Sequence, residues 1–335
     1  MDVQFFPVLV MGFVTSLGLT PVARQIALRL GVVAVPNNRN IHTGRMPLMG
    51  GLAICVGIGL ALVLFSPPLY LRQLGAVMAG AVFMAVLGLL DDRYNLGIRT
   101  RFIAAALAGA GVVISGISFQ FTGVGLIDGV LTTFWIMAIT NAVNFQDNMD
   151  GLAAGSSAIS ALFFLLIALS QGLVLVSLLS AAVLGSALGF LIYNFAPSST
   201  FMGDMGALTL GFVLSIIAIK LDMVQGTPDP KWMVPLLALW LPAFDINLVV
   251  FTRIAEGRPP GQGGRDHTSH RLMSLGLSHR KVLFILYTMC VFFGAAGLAL
   301  SWLASWPLAL TLAALVALLY VVAAKIRINT QLKVS

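Results

Sequence analysis

Four short stretches of this chain combine the residue types that phosphoryl chemistry uses, and each lies where an apolar run stops. The first runs Gly88-Leu89-Leu90-Asp91-Asp92-Arg93-Tyr94-Asn95 and on to Arg99 and Arg101. A carboxylate inside hydrocarbon costs about 2.5–3.5 kcal/mol, so the adjacent acids fix the point where the segment meets water; a solvated helix end is the plain alternative. The second, Asn141 to Gly155, holds Asn144, Asp147 and Asp150 at a spacing of three, which on a helix is one face. Two acids and three asparagines with no basic residue suit a metal and phosphate site better than an ordinary polar turn.

The third stretch, Phe201-Met202-Gly203-Asp204-Met205-Gly206, sets an acid between glycines that let backbone approach a ligand, at a helix start where phosphate is favoured. The fourth, Gly263-Gly264-Arg265-Asp266-His267-Thr268-Ser269-His270-Arg271, offers two histidines and two arginines that can grip a diphosphate by forked hydrogen bonds. Zinc is a weaker reading, for lack of a cysteine among the candidate ligands; a basic loop that meets anionic lipid is the bland one. If Asp91, Asp92, Asp147, Asp150 and Asp204 converge, their repulsion raises their pKa values unless a cation sits among them. Oxygen donors suit a hard ion, Mg²⁺ with Mn²⁺ as the alternative. Phosphoryl transfer asks mainly for positioning and charge neutralisation.

The elements that must position these residues are membrane spans. Of 335 residues 59% are hydrophobic and 9% charged, the mean hydropathy is +0.99, and soluble domains carry roughly a quarter charged residues. Eleven segments approach the length of about 20 apolar residues that a span needs: 3–23, 48–65, 74–90, 102–119, 126–143, 154–170, 173–193, 206–221, 232–252, 282–302 and 307–324. Alternating the loops between two sides puts 16 of the 19 basic residues on one side, with only Arg72, Lys220 and Lys231 on the other. That side is expected to be cytosolic, so the N-terminus is outside and the C-terminus inside. Asp91, Asp92, Asp147, Asp150, Asp204, Glu256, Asp266 and all four histidines fall on the same side. The net charge of +7 is spread over many loops and forms no dense patch for nucleic acid. The first segment has no basic leader or cleavage site and is expected to be a retained span. Cys55 and Cys290 lie in apolar runs and are expected to be small buried hydrophobes. With no repeat or linker, one integral membrane domain over 1–335 is expected.

Together with Pro36-Asn37-Asn38-Arg39-Asn40-Ile41-His42 and Pro47-Leu48-Met49-Gly50-Gly51, the four motifs in this order resemble the polyprenyl-phosphate N-acetylhexosamine-1-phosphate transferase superfamily, glycosyltransferase family 4. The likeness is greater to the undecaprenyl-phosphate N-acetylglucosamine-1-phosphate transferases than to the peptidoglycan MurNAc-pentapeptide branch, which remains the alternative. The resemblance implies an all-α bundle of ten or eleven spans with a cytosolic cleft in a bacterial inner membrane. It implies Mg²⁺ as cofactor, a UDP-sugar and a polyprenyl phosphate as substrates, and UMP as a product, with a homodimer allowed; the product is expected to feed a surface glycan. It assigns Asp204 and Asn144 to the metal and Asp91, with Asp92 beside it, to proton removal from the lipid phosphate. Asp147, counted with the catalytic acids, and Asp150 shape the nucleotide site; Phe201 stacks on uracil; His267, His270 and Arg271 hold diphosphate and sugar. Arg101 stands where a lysine often contacts the lipid phosphate, Asn95 replaces a third acid, and Ser269 replaces a histidine, which bears on sugar choice.

Two other functions compete. A secondary transporter places ionisable groups near the bilayer midplane, and only Asp245 in the ninth segment fits; it lines a cleft or pairs with a neighbour. A membrane scaffold without chemistry would not need the acid-rich second stretch. A soluble-type kinase or NTPase is excluded by the absence of a G-x-x-x-x-G-K-[ST] loop.

Overall fold

The computed structural model describes residues 5–34, 46–221, 229–259, 261 and 264–326. The Pro36–His42 motif, Arg39, Arg45, Gly263, Arg327, Lys333 and most of the turn after Leu221 lie outside the described residues. Every one of the eleven apolar segments is helical, because in hydrocarbon a backbone must satisfy its polar groups within the segment. In chain order these are α1 (Phe5–Leu30), α2 (Gly50–Phe65), α3 (Leu71–Tyr94), α4 (Ile98–Ile114), α5 (Gly125–Gln146), α6 (Leu152–Ser170), α7 (Val174–Asn194), α8 (Gly203–Lys220), α9 (Val234–Ala238) with α10 (Trp240–Ala255), then the short α11 (Thr268–Ser274), α12 (His279–Leu303) and α13 (Trp306–Lys325). Among the described residues, eight helices are long and apolar enough to cross a membrane, and nine if the bent pair α9–α10 is one span. The remaining two segments, α2 and α4, are shorter, 16 and 17 residues.

The ninth segment, expected to be continuous, bends by 86° between α9 and α10. Proline has no N–H and its ring clashes with the carbonyl four residues back. Pro242 therefore leaves the carbonyl of Ala238 without a helical partner, and Ser160 Oγ donates to that carbonyl at 2.7 Å instead. Beyond the break, Trp240 stacks on Phe244 and Phe293, and Phe244 on Tyr320, tying α10 to α12 and α13.

At the centre, α8 packs against α3 and α5, and α7 packs against α1 and α6. Within their membrane windows 89% of α8 is buried but only 11% of α13, which faces lipid with Leu310, Leu318, Val321 and Val322. Among the described residues a single two-stranded ladder pairs β1 (Val33–Ala34) antiparallel with β2 (Met46–Pro47). It is anchored to the approach to α8, since the Pro47 carbonyl accepts from Phe201 N–H at 2.9 Å and Thr200 Oγ1 at 3.1 Å. Hydrogen bonds join the ends of α3, α5, α10 and α13 to the starts of α8 and α11, so the four chemical motifs share one face.

Candidate active site

Asp204 in the first turn of α8 is the meeting point. Its Oδ1 accepts from Asn144 Nδ2, in the last turn of α5, at 2.6 Å. Arg101, in the first turn of α4, reaches its Oδ2 at 3.5 Å and Asp91 Oδ2, in the last turn of α3, at 3.1 Å. Four helix ends thus bring two acids, an amide and a guanidinium into direct contact. Asp91 is buried, whereas Arg101 and Asp204 are about a quarter exposed, with side chains 25% and 28% accessible.

The approach of α8 to α3 depends on two missing side chains. A Cβ on Gly88 would stand 2.4 Å from the Asp204 carbonyl carbon and the Met205 nitrogen. Gly203 has φ +68° and would place a Cβ 2.3 Å from the Leu48 carbonyl oxygen. Glycine meets both demands without steric cost.

Asp92 stands apart from this cluster in its role. Its Oδ1 accepts from Asp204 N–H at 3.0 Å and its Oδ2 from Met205 N–H at 3.4 Å. Met202, the residue at the helix start, makes no side-chain cap, so Asp92 caps α8 from a distance of 112 residues in sequence. The start of α8, expected to favour a phosphate, is occupied by this carboxylate.

Asp147 follows directly on α5, its N–H bonded to the Asn144 carbonyl at 3.2 Å. Burial and the negative charges of Asp204 and Asp150 push its carboxyl up to about 7. Asp150 is turned the other way: Oδ2 accepts from Ser198 N–H at 3.0 Å, and its carbonyl meets His279 Nε2 at 3.1 Å. It holds the segment before α8 in place. Phe201 is half-buried three residues before Asp204, with its backbone carbonyl fixed by Gly50 N–H at 2.9 Å.

The basic loop docks on the acidic turn. Ser269 Oγ donates to Asn148 Oδ1 at 2.7 Å, and His267 packs edge-on against Phe145 with ring centroids 6.0 Å apart. Ser269 is buried, with its hydroxyl engaged in this contact. His270 lies 5.7 Å from His267, ring to ring, and its Nδ1 is buried with no hydrogen-bond partner among the described residues. Burial, then the charge of His267, pushes its pKa down to about 4, so the ring is neutral near pH 7.

Arg271, expected on the diphosphate, faces the scaffold instead. Its Nε donates to the Asp266 carbonyl at 2.9 Å, Nη1 to the carbonyls of Ala323 and Ile326 at 3.2 Å, and Nη2 to Thr252 Oγ1 at 3.1 Å. It ties the loop to the end of α13. Asp266 itself takes two bonds from buried Arg253, at 2.8 and 2.6 Å, and one from Arg258 at 3.1 Å. These cations hold its carboxyl below the usual range against the opposing effect of burial.

Sequence reasoning missed this clasp, and it left Asp245 between two roles. Asp245 does not pair with Arg253 but with the loop, through His267 Nδ1 at 2.7 Å and Thr268 at 2.6 Å. The signal in the sequence was the acid itself, since an acid in an apolar segment needs a partner; its partner lies 22 residues away in a motif read as holding the diphosphate.

As a metal site the donors are of the right kind. Asp204 and Asn144 touch each other, and turning the Asn144 amide over presents Oδ1 to the same place. Burial, then the negative charges of Asp204 and Asp150, hold the Asp147 carboxyl up at about 7, and a divalent ion would offset the part that comes from charge. Among the described residues no group of three or more His, Cys, Asp or Glu encloses a metal by itself. Mg²⁺ is bound through one or two carboxylates with substrate phosphates and water completing its shell, and Asp204 with Asn144 offers donors of that kind.

Comparison with known proteins converges on the same segment. The profile of glycosyl transferase family 4 matches residues 74–222, which include every acid from Asp91 to Asp204. A Bacillus subtilis protein named probable undecaprenyl-phosphate N-acetylglucosaminyl 1-phosphate transferase is 36% identical over 306 residues, covering 89% of this chain and 85% of that protein. The decaprenyl-phosphate N-acetylglucosaminephosphotransferase of Mycobacterium tuberculosis is 34% identical over 312 residues, 82% of this chain and 77% of its own length. The Escherichia coli (strain K12) undecaprenyl-phosphate alpha-N-acetylglucosaminyl 1-phosphate transferase is 28% identical over 285 residues, 80% of this chain and 76% of its own.

Proposed function

The chain belongs to glycosyl transferase family 4, and from that premise we propose that it transfers N-acetylglucosamine 1-phosphate from UDP-N-acetylglucosamine to undecaprenyl phosphate. The observation that carries this reading is the contact of Asp204, Asn144, Arg101 and Asp91 at one end of the bundle, where a diphosphate and a lipid phosphate can meet. Three of the relatives carry a polyprenyl-phosphate acceptor and an N-acetylglucosamine phosphate in their names.

In this reading an oxygen of the lipid phosphate attacks the β-phosphorus of the donor. A new P–O bond forms, the bond from that phosphorus to the bridging oxygen breaks, and UMP leaves with the bridging oxygen. Arg101 offers the lipid phosphate a fixed cation beside Asp91, which takes the proton of a singly protonated phosphate. Asp92 holds α8 so that Asp204 keeps its place. Asp204 and Asn144 would hold Mg²⁺, whose charge offsets that of the diphosphate. His267 contacts the diphosphate, and Phe201 flanks the uracil.

On this reading the acceptor's hydrocarbon lies along the apolar surface of α4 and α5. An apolar groove of about 430 Å³ between α4 and α5 is lined by Ala106, Val113, Leu126, Val130, Phe134 and Met137. Along α4 it begins five residues, about 8 Å, from Arg101. The excess of basic residues at the same helix ends supports a cytosolic active-site face in a bacterial inner membrane.

The test mixes purified protein, undecaprenyl phosphate, Mg²⁺ and a panel of UDP-sugars, and follows UMP and lipid-linked product. UMP released from UDP-N-acetylglucosamine only when lipid and metal are both present is the expected result. Response to UDP-MurNAc-pentapeptide alone would move the chain to the peptidoglycan branch, and UMP without lipid would overturn the acceptor.

A further inference from the structure

Asp245 is 3% exposed, and its carboxylate meets three hydrogen-bond donors of one loop. Oδ1 accepts from Thr268 N–H and from Thr268 Oγ1, each at 2.6 Å, and Oδ2 faces His267 Nδ1 at 2.7 Å. An ionised carboxylate only accepts, so the Nδ1 of His267 carries the proton and Nε2 is the nitrogen left for another partner. The ring lies against Phe145, next in sequence to Asn144, which touches Asp204.

Resting on the transferase reading, we propose that Asp245 is a positioning residue acting through His267. It fixes the ring in the Nδ1–H form, leaves Nε2 to meet the donor diphosphate, and backs the ring with a negative charge so that it binds that anion as an imidazolium. Asp245 touches no substrate; Thr268 holds the carboxylate in register with the ring, and the same two bonds hold the start of α11.

The geometry supplies a variant that separates this role from folding. In Asp245→Asn the two Thr268 donors keep the amide oxygen at the Oδ1 position, so the NH₂ group falls on His267 Nδ1. That nitrogen must then accept, which moves the proton to Nε2 and removes the charge behind the ring. The replacement has the same shape and keeps the Thr268 bonds.

The expected result is a loss of about 10- to 100-fold in kcat/KM for UDP-N-acetylglucosamine, by analogy with the loss when the partner behind a metal-ligating histidine is removed. UDP should bind more weakly in parallel, with a melting temperature near that of the parent. In ¹⁵N-labelled protein the His267 signals, assigned by their loss in His267→Gln, should change from the Nδ1–H to the Nε2–H pattern. Activity of the double variant Asp245→Asn/His267→Gln should match His267→Gln within about threefold, because both changes remove one unit. Unchanged activity or an unchanged tautomer in Asp245→Asn would overturn the proposal. So would a double variant that loses the two effects in full, which would put the role of Asp245 in the fold of α11 alone. If the parent releases no UMP from any donor, the transferase reading fails by itself; the tautomer and UDP binding are read without turnover and still decide the Asp245–His267 relation.

Discussion

The acidic and the basic halves of the site treat charge in opposite ways. On the acidic side one partly exposed guanidinium, Arg101, faces both Asp91 and Asp204, and burial together with the repulsion of Asp204 and Asp150 pushes the Asp147 carboxyl up to about 7. On the basic side Asp266 has Arg253 and Arg258, Asp245 has His267, and the guanidinium of Arg271 is enclosed by three carbonyls and a hydroxyl. Unmatched charge is costly to hold, and the fold holds it where a cation and phosphates are to arrive. Matched charge gives shape. Much of the charge around the loop rich in histidine and arginine is thus engaged by partners within the fold rather than held as a reservoir of positive charge.

The sharpest way to break this contrast is Asp204→Asn. Turnover should fall by about 10³-fold or more, about 4 kcal/mol of barrier, with the melting temperature nearly unchanged; activity within tenfold of the parent would show that the chemistry lies elsewhere. On the basic side the large effect should be on stability. Arg253→Met strands Asp266 in the interior, where breaking a buried pair costs about 3–5 kcal/mol, here toward the lower end because Arg258 remains. Unfolding in detergent would measure it, and Arg253→Met/Asp266→Leu should recover much of the loss. A full-strength loss of kcat in a stably folded Arg253 variant would contradict the division of labour.

The two halves should also differ in the sign of their pH dependence, seen by thermal melts in EDTA. Asp147 ionises near 3.8 when unfolded and about 7 when folded, so between those values the folded state holds the extra proton and stability falls as pH rises. His270 has its pKa moved down, from 6.5 to about 4, so the unfolded state holds the extra proton and stability falls as pH drops below about 6.5. The advantage of Asp147→Asn over the parent should grow from pH 4 to 7, and that of His270→Gln from pH 6.5 to 4; both trends in one direction would refute the contrast. The smallest effect is expected for Ser269→Ala, which removes the bond to Asn148 and should cost about 0.5–1.5 kcal/mol and change KM less than fivefold, with the preferred sugar unchanged.

The spans were legible because hydrocarbon allows little besides helix, and the meeting of acids at one face followed from the placement of the charges. The break at Leu239 was also written in the chain, as Pro242, but hydropathy alone runs through it. What sequence could not reveal is which polar atoms are already taken. Asp92 looks like a twin of Asp91, yet it is committed to two backbone N–H groups 112 and 113 positions away. Arg271 sits in a run that suggests phosphate, yet its partners are backbone carbonyls of α13 that no pattern of side chains announces. Asp245 was visible as an anomaly, and its partner followed only from the fold.

Gly88 bears on how natural variants of this chain should be scored. Alanine at 88 exchanges one small apolar residue for another inside a membrane helix, a change that most scales of severity rate as silent. Here the added methyl would stand 2.4 Å from the backbone of Asp204, so α8 would have to move away from Asp91 and Arg101. An allele that alters no ionisable group can thus be a loss-of-function allele, and tolerance at this position is set by distance rather than by polarity.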